Sequence, residues 1–166
     1  MNDFQTFQTS LACFWVSVLM QRRPANHRWL THSWRVVGVV VNSRAKDQGS
    51  GPIKVRSSDE SDDYLWNGMP VKLHKDEVES YYHNLMAPIP NLYVITRNND
   101  QGVPEPFLVS ACFDEAHAYM EGDENAHPIP MPPEIYQWIE SFVLTHYAPE
   151  RRYKRKRKDW KEGNRE

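Results

Sequence analysis

Four short runs rich in β-branched and aromatic residues recur along the chain, at residues 12–21, 33–41, 91–98 and 106–113. Each run has the length and composition of a β-strand, so each predicts one. The stretch NDQGVPE between the last two runs favours a pair of strands joined by a turn. Together the runs predict an antiparallel sheet, and we leave open whether that sheet curls toward a barrel.

Two helices are predicted in the C-terminal half. Residues 114–122, DEAHAYMEG, begin with an aspartate and end with a glycine, which favours a helix of two turns. Residues 133–147 predict a longer helix, because Pro132 and Pro133 suit a first turn and an apolar stripe follows at helical spacing. The fold class is therefore α+β, an antiparallel sheet with a short helix and a longer C-terminal helix. The stripe consists of Ile135, Trp138, Ile139, Phe142 and Val143.

A polar segment separates the two halves of the predicted sheet. Residues 42–63 carry Gly, Ser and mixed charges, so we expect a mobile insertion there, within a single globular domain formed by residues 11–149. Asn67 and Gly68 then form the strongest short turn signal of the sequence. Residues 75–87 fit a helix as well as a strand, and the residue pattern alone does not distinguish the two.

Local signals also predict the structure of three other segments. Residues 22–26, RRPAN, contain a proline and an asparagine and predict a break after the first strand. Residues 33–41, SWRVVGVVV, are almost continuously apolar, which predicts a strand that is buried on both faces. Residues 127–133, HPIPMPP, predict an extended connector before the last helix.

The charge of the chain is distributed unevenly. The formal net charge is -2, but residues 151–166 hold nine of the twenty Lys and Arg residues and three of the twenty-two Asp and Glu residues. The last sixteen residues are therefore +6 and the first 150 are -8. This asymmetry is typical of an interaction tail, and we expect residues 150–166 to be disordered. The candidate anion-binding residues in this tail are Arg151, Arg152, Lys154, Arg155, Lys156, Arg157 and Lys158.

A second group of candidate residues precedes the second predicted strand. Trp29 and Trp34 each have an arginine as a sequence neighbour there, and an arginine above an indole ring is a common packing arrangement. One interpretation is that both tryptophans seal one end of the sheet. The other is a shallow surface on which a partner is bound, a base stacks or a phosphate is held. The residues concerned are Arg22, Arg23, Arg28, Trp29 and Trp34.

No motif in the sequence predicts catalysis or metal binding. The seven histidines and two cysteines show no spacing typical of a metal site, and neither a GxSxG motif nor a glycine-rich phosphate loop is present. The carboxylates in DEVE and DEAHAYMEGDE are interpreted as a helix cap, a solvated helix face and a loop. We predict no catalytic residue, no metal site and no cofactor.

The compartment is predicted from the cysteines and from the N-terminal residues. Cys13 and Cys112 both lie in apolar surroundings, which favours buried thiols in a reducing cytosol. The apolar run LACFWVSVLM is too short to span a bilayer and lacks the features of a secretory signal. We therefore expect a cytoplasmic protein without membrane insertion.

Five segments resemble a bacterial family known only as a domain of unknown function, whose genes often lie beside those of molybdenum-containing formate dehydrogenases. The resemblance implies an accessory role in making or supplying a molybdoenzyme, and it names no catalytic residue. It also favours a strand over a helix at residues 75–87. The segments are VSVLMQRRPANHRWLTHSWRVVGVV, VKLHKDEVESYYHNL, LYVITR, ACFDEAHAYMEGDENAHPIPMPPEIYQWIESFV and HYAPERRYKRKRK.

Two functional hypotheses follow from these observations. The first is a non-catalytic cytoplasmic accessory or maturation factor for a molybdenum-containing formate dehydrogenase, with a subunit of that enzyme or its assembly machinery as its protein partner. The alternative is a nucleic-acid-binding module that uses the basic tail and the arginines and tryptophans at the start of the second strand. An enzyme of unrecognised type and a purely structural subunit are further alternatives.

Overall fold

The computed structural model describes residues 13–41 and 51–149 and contains two antiparallel sheets. The first sheet has the order β2-β1-β4-β3 and is formed by β1 (Cys13–His27), β2 (Leu30–Val40), β3 (Ile53–Ser57) and β4 (Asp62–Lys72). The second has the order β6-β5-β7 and is formed by β5 (Asn91–Asn98), β6 (Pro104–Ser110) and β7 (Asn125–Pro130). The α+β prediction is confirmed, whereas neither sheet closes into a barrel within the described residues.

Three α-helices accompany the sheets. They are α1 (Val78–Leu85), which follows a 3₁₀ turn at Lys75–Glu77, α2 (Phe113–Met120) and α3 (Pro133–His146). The two predicted helices are therefore found, together with a third. Within the described part of the chain, no helix is long and apolar enough to cross a membrane.

The core is formed by β1, β4 and β5 together with one face of α3. The predicted stripe on α3 is confirmed, because Ile135, Ile139 and Val143 are buried and Trp138 and Phe142 pack beside them. Other large contributions come from strands that have a neighbour on both sides in their sheet, two of which are β1 and β5. Their buried residues include Val16, Val18 and Met20 on β1 and Leu92, Val94 and Ile95 on β5.

The preference for a strand at residues 75–87 is wrong. The segment forms the 3₁₀ turn and α1, and its buried residues Tyr81, Asn84 and Leu85 have the three- and four-residue spacing of one helical face. The helical spacing of the apolar residues is therefore the signal that matches the structure, and Tyr81 and Tyr82 pack in or against the core from α1.

The predicted break at residues 22–26 is also wrong, since β1 continues to His27 and the chain turns at Arg28 and Trp29. Pro24 lies opposite His32 on β2. It is tolerated because the pairing of β1 with β4 ends at Arg22, so among the described residues no strand lies on the other side of Pro24.

Asn67 and Gly68 do not form a turn between strands but lie within β4. Two residues of β1, Val16 and Val18, pair with Met69 and Trp66, so β4 carries one extra residue at this point. Gly68 has a φ of 76°, and the Ser17 hydroxyl donates to Asn67 Oδ1 at 2.6 Å. The glycine therefore supplies the left-handed residue of a β-bulge, a use that its sequence context does not distinguish from a turn.

Three other segment predictions need correction. Of residues 33–41, all but the last belong to the edge strand β2, in which Val36 is the buried residue, so burial on both faces is wrong. The expected insertion at 42–63 contains β3 and the start of β4, while residues 42–50 lie outside the described residues. Of residues 127–133, all but Pro133, which begins α3, are extended as predicted, and residues 127–130 belong to β7, which pairs with β5.

Candidate partner-binding surfaces

The hairpin of β1 and β2 extends beyond the rest of its sheet. Pairing of β1 with β4 ends at Arg22 opposite Asp62, so residues 23–33 form a two-stranded projection, which we call the cationic arm. Every residue of the arm except Ala25 is exposed. At its tip, Trp29 is 81% exposed and Leu30 is 57% exposed.

The arm carries positive charge and contains no carboxylate of its own. Asp59 and Asp62 lie near its base, where Asp62 pairs with Arg22. Residues 13–41 contain four arginines and no aspartate or glutamate. Arg23 and Arg35 both donate to Gln21 Oε1, at 2.8 and 3.2 Å, and the Arg28 guanidinium lies 5.7 Å from the Trp29 ring centroid. These partners are neutral, so they do not compensate the positive charge of the three arginines.

Arg22 and Trp34 have a different environment at the base of the arm. Arg22 Nη2 lies 2.6 Å from Asp62 Oδ2, and its guanidinium lies 5.4 Å from the Tyr64 ring centroid and 6.0 Å from that of Trp34. Trp34 is half-buried, with its ring centroid 5.4 Å from Tyr64 and 6.2 Å from Trp66. Both residues are thus occupied in anchoring the arm to the sheet.

The structure therefore divides the predicted group of five residues. Arg23, Arg28 and Trp29 lie together on the arm, whereas Arg22 and Trp34 pack at its base. Sealing of the sheet is found for Trp34 but is wrong for Trp29, which projects into solvent. Whether the arm residues bind a partner stays a prediction. The candidate residues Arg151, Arg152, Lys154, Arg155, Lys156, Arg157 and Lys158 lie outside the described residues.

Sequence reasoning did not include Arg35 in this group. It joins the group because the hairpin pairs Arg35 with Gln21, whose amide oxygen also accepts from Arg23. The eleven residues between Arg23 and Arg35 hide this proximity, and only the register of the hairpin would have revealed it.

Asp62 is the electrostatic centre of the arm's base. Its carboxylate accepts from the Ser57 hydroxyl at 2.6 Å and from Arg22, and Lys54 Nζ lies 3.3 Å away. The Ser57 hydrogen bond, followed by those from Arg22 and Lys54, lowers the pKa of Asp62 to about 2. The carboxylate therefore stays charged in any physiological medium.

This pKa predicts how stability depends on acid. Because the folded protein holds this proton less tightly than the unfolded chain, the contribution of Asp62 is present above about pH 4 and is lost as pH falls through about pH 2. Asp62→Asn should therefore lose less stability than the parent between these values. Urea midpoints measured across this range test the expectation, with Asp100→Asn in the exposed β5–β6 turn as the control. Equal acid sensitivity of the Asp62→Asn variant and the parent would contradict it.

A second candidate surface is a cavity of about 600 Å³ between α1, the loop after it, the start of β5 and the first turn of α2. We call it the acidic groove. Among the described residues that line it, His83 is the only side chain able to carry a positive charge, and its Nε2 lies 3.6 Å from Glu79 Oε1. The carboxylates of the groove come from three elements and are Asp76, Glu77, Glu79 and Asp114.

The walls of the groove expose apolar side chains. Ile89 is 62% exposed and Phe113 is 54% exposed, and the Phe113 ring packs edge-on against Tyr93 with centroids 5.9 Å apart. Grouped exposed apolar side chains of this size mark interaction sites on soluble proteins. The groove therefore combines apolar walls with a negatively charged rim.

The floor of the groove is held by Asn84. Its Nδ2 donates to the backbone carbonyls of Asn91 at 2.7 Å and Ala111 at 2.8 Å, and its Oδ1 accepts from Asn91 N at 3.0 Å. One side chain thus fixes α1 to β5 and to the segment that leads into α2.

Cys112 also lies in the floor, with its thiol directed at α1. The thiol donates to the Ser80 hydroxyl at 3.4 Å and accepts from Glu115 N at 3.5 Å, so it caps α2. Cys112 is buried as predicted, whereas Cys13 is half-buried and burial raises the pKa of its thiol. Across residues 13–41 and 51–149, no three His, Cys, Asp or Glu side chains converge as metal ligands would.

The groove was not predicted from the sequence. The acidic residues of DEVE and of the α2 start had been interpreted as capping and solvated residues, and the two groups lie more than thirty positions apart. They meet because Asn84 ties the ends of β5 and β6 to α1. No local signal announces such a contact.

Comparison with known proteins gives the family of the chain. The family model described as a protein of unknown function, DUF3305, matches residues 15–158, which include the arm and the groove. No curated protein and no solved structure matches the chain. Since the match covers most of the sequence, the chain belongs to the DUF3305 family.

Proposed function

We propose that this protein is a non-catalytic accessory protein whose acidic groove binds a positively charged, partly apolar segment of a partner protein. The observation that carries the proposal is the composition of the groove, in which four carboxylates surround a cavity with exposed Ile89 and Phe113 on its walls. Charged groups at such a rim steer association and fix specificity, while burial of the apolar walls supplies affinity.

A peptide segment suits this groove better than a small anion or a neutral metabolite. The four carboxylates repel anions, and they lie on the 3₁₀ turn, α1 and α2 rather than around one point. Arginine or lysine side chains spaced along a bound segment would reach carboxylates on different elements. Apolar residues between them would cover Phe113 and Ile89, which are otherwise exposed.

The partner that we propose is a subunit of a molybdenum-containing formate dehydrogenase or the assembly machinery of that enzyme. The proposed binding takes place in the cytoplasm. The support for this assignment is the resemblance described above and the gene neighbourhood that it implies. Recognition of a basic segment is consistent with a factor that binds a subunit before it is assembled or before it receives its cofactor. The proposal assigns the protein no chemical step.

Reversing charge at the rim should abolish recognition of a basic segment. We expect the double variant Glu79→Lys and Asp114→Lys to bind a fluorescein-labelled peptide of alternating arginine and leucine at least about tenfold more weakly than the parent. Both residues are exposed, so the fold should be retained. Fluorescence anisotropy measures the affinity, and a thermal melt of each variant verifies folding.

The matched control makes the same change in net charge elsewhere. Asp100→Lys with Glu140→Lys places two lysines at exposed positions that do not line the groove. Equal peptide affinity for the two double variants would refute the groove as the binding site.

The identity of the partner is tested separately. Tagged protein expressed in its native host should recover a formate dehydrogenase subunit, and the groove variant should recover less of it than the control variant. Peptide binding without recovery of that subunit would retain the groove and reject the assigned partner.

A further inference from the structure

We infer that the cationic arm is a second interaction surface, which binds duplex DNA through the phosphate backbone. Arg23 and Arg28 of the arm, and Arg35, which follows the arm on β2, form no ion pair with a described carboxylate. Trp29 and Leu30 are exposed at the tip of the arm. This surface shares no residue with the acidic groove. The inference is therefore independent of the proposed function.

The shape of the arm fits a groove of B-form DNA. The arm is a two-stranded ribbon that projects about 17 Å past the last β1–β4 pair, taking five residues at about 3.4 Å each. The major groove is about 12 Å wide and admits a two-stranded ribbon. In A-form RNA the same groove is too narrow and deep for side chains to read, so duplex DNA is the favoured form.

Hydrogen-bond donors lie on both faces of the ribbon. Strand alternation and pairing place Arg23, Ser33 and Arg35 on one face and His32 on the other. Phosphates flank a DNA groove on both sides, so donors on both faces of an inserted ribbon can each reach one strand. A flat anionic membrane would meet only one of these faces.

The carboxylates of the acidic groove do not prevent this binding, and Asp62 at the base of the arm is paired with Arg22 and Lys54. The groove begins four residues after β4 ends, and β4 starts at the base of the arm. The eleven residues of β4 span about 33 Å. The Debye length at physiological salt is about 8 Å, so repulsion between the groove carboxylates and DNA on the arm is almost completely screened.

The expected salt dependence gives a quantitative test on the full chain. Each neutralised phosphate contributes about -0.9 to the slope of log K against log salt, so three arginines contribute about -2.7. Replacing Arg23, Arg28 and Arg35 with alanine should flatten the slope by about that amount and weaken binding to a short fluorescent DNA duplex at least about tenfold near 50 mM salt. Trp29→Ala should weaken binding without changing the slope, since its contribution is not ionic.

The control removes three exposed cations elsewhere, with Lys72, Lys75 and Arg97 each replaced by alanine. This variant should keep the slope of the parent, because none of its three substituted residues lies on the arm. Any contribution of the C-terminal tail to the slope is the same in both variants. Equal slopes for the arm variant and the control would overturn the inference. Stronger arm-dependent binding to vesicles rich in anionic lipid than to the duplex would overturn it as well.

Discussion

Replacing Tyr81 with alanine should lower the free energy of unfolding by about 4 kcal/mol, the range found when a buried aromatic side chain is removed. Tyr81 is 1% exposed, and its ring packs edge-on against Phe142 of α3 with centroids 6.1 Å apart. Its hydroxyl donates to Glu77 Oε2 at 2.8 Å and accepts from His74 N at 3.1 Å. Burial raises the pKa of Tyr81, so the hydroxyl keeps the proton that it donates.

Tyr81→Phe separates packing from hydrogen bonding. It retains the ring and leaves the His74 N–H and the Glu77 carboxylate without this partner, which should cost about 1 to 2 kcal/mol. Urea unfolding followed by circular dichroism measures both variants, with an unchanged slope expected for each. A loss below about 1 kcal/mol for Tyr81→Ala would show that α1 contributes little to the core.

Replacing Asn84 with leucine should cost about 3 to 4 kcal/mol, although leucine has a similar size and is apolar. The substitution leaves two backbone carbonyls and one backbone N–H without their partners, and each such buried group costs about 1 to 3 kcal/mol. Since these groups join α1 to β5 and α2, the groove should lose its shape together with the stability.

Two measurements distinguish this effect from a general loss of stability. Asn91→Ala alters the neighbouring side chain but keeps the backbone groups that Asn84 binds, so it should stay within about 0.5 kcal/mol of the parent. In Asn84→Leu, the Asn91 amide should exchange with solvent much faster than the amides at the centre of β5. Unchanged protection of that amide would contradict the role assigned to Asn84.

The parts of the fold that were predicted correctly depend on local patterns. The α3 stripe needs only helical spacing within fourteen residues, and the β5–β6 pair joins across a short turn. In both cases the residues that stabilise the element are close in sequence. Propensity and packing therefore favour the same structure.

The incorrect predictions concern positions where pairing with a neighbouring strand overrides a local signal. Pro24 and Asn67–Gly68 are ordinary turn signals, but Pro24 lies within the β1–β2 hairpin and Asn67–Gly68 within β4, which pairs with β1 between residues 40 to 59 positions apart. Residues 53–57 contain only two apolar residues, Ile53 and Val55, and both are exposed, yet the segment forms β3 because β4 offers it an edge with which to pair. Long-range pairing of this kind leaves no local trace in composition.

The same distinction applies to the two surfaces. Arg23, Arg28 and Trp29 could be grouped in advance because a hairpin keeps sequence neighbours together. The acidic groove could not, since Glu79 and Asp114 meet only through the fold. Surfaces assembled from several elements are the part of this protein that the sequence alone does not disclose.

The bulge at Asn67 and Gly68 divides β4 into two segments of opposite phase. Before it, the even-numbered residues Tyr64 and Trp66 face the core, and after it the odd-numbered residues Met69 and Val71 do. Successive side chains of a strand point to opposite faces, so a shift of one residue exchanges the residues on its two faces. Deleting one residue at the bulge would turn Tyr64 and Trp66 away from Arg22 and Trp34 while leaving the Met69 side in place. In related chains, β4 should therefore tolerate substitutions but not single-residue insertions or deletions, unless a second change restores the phase.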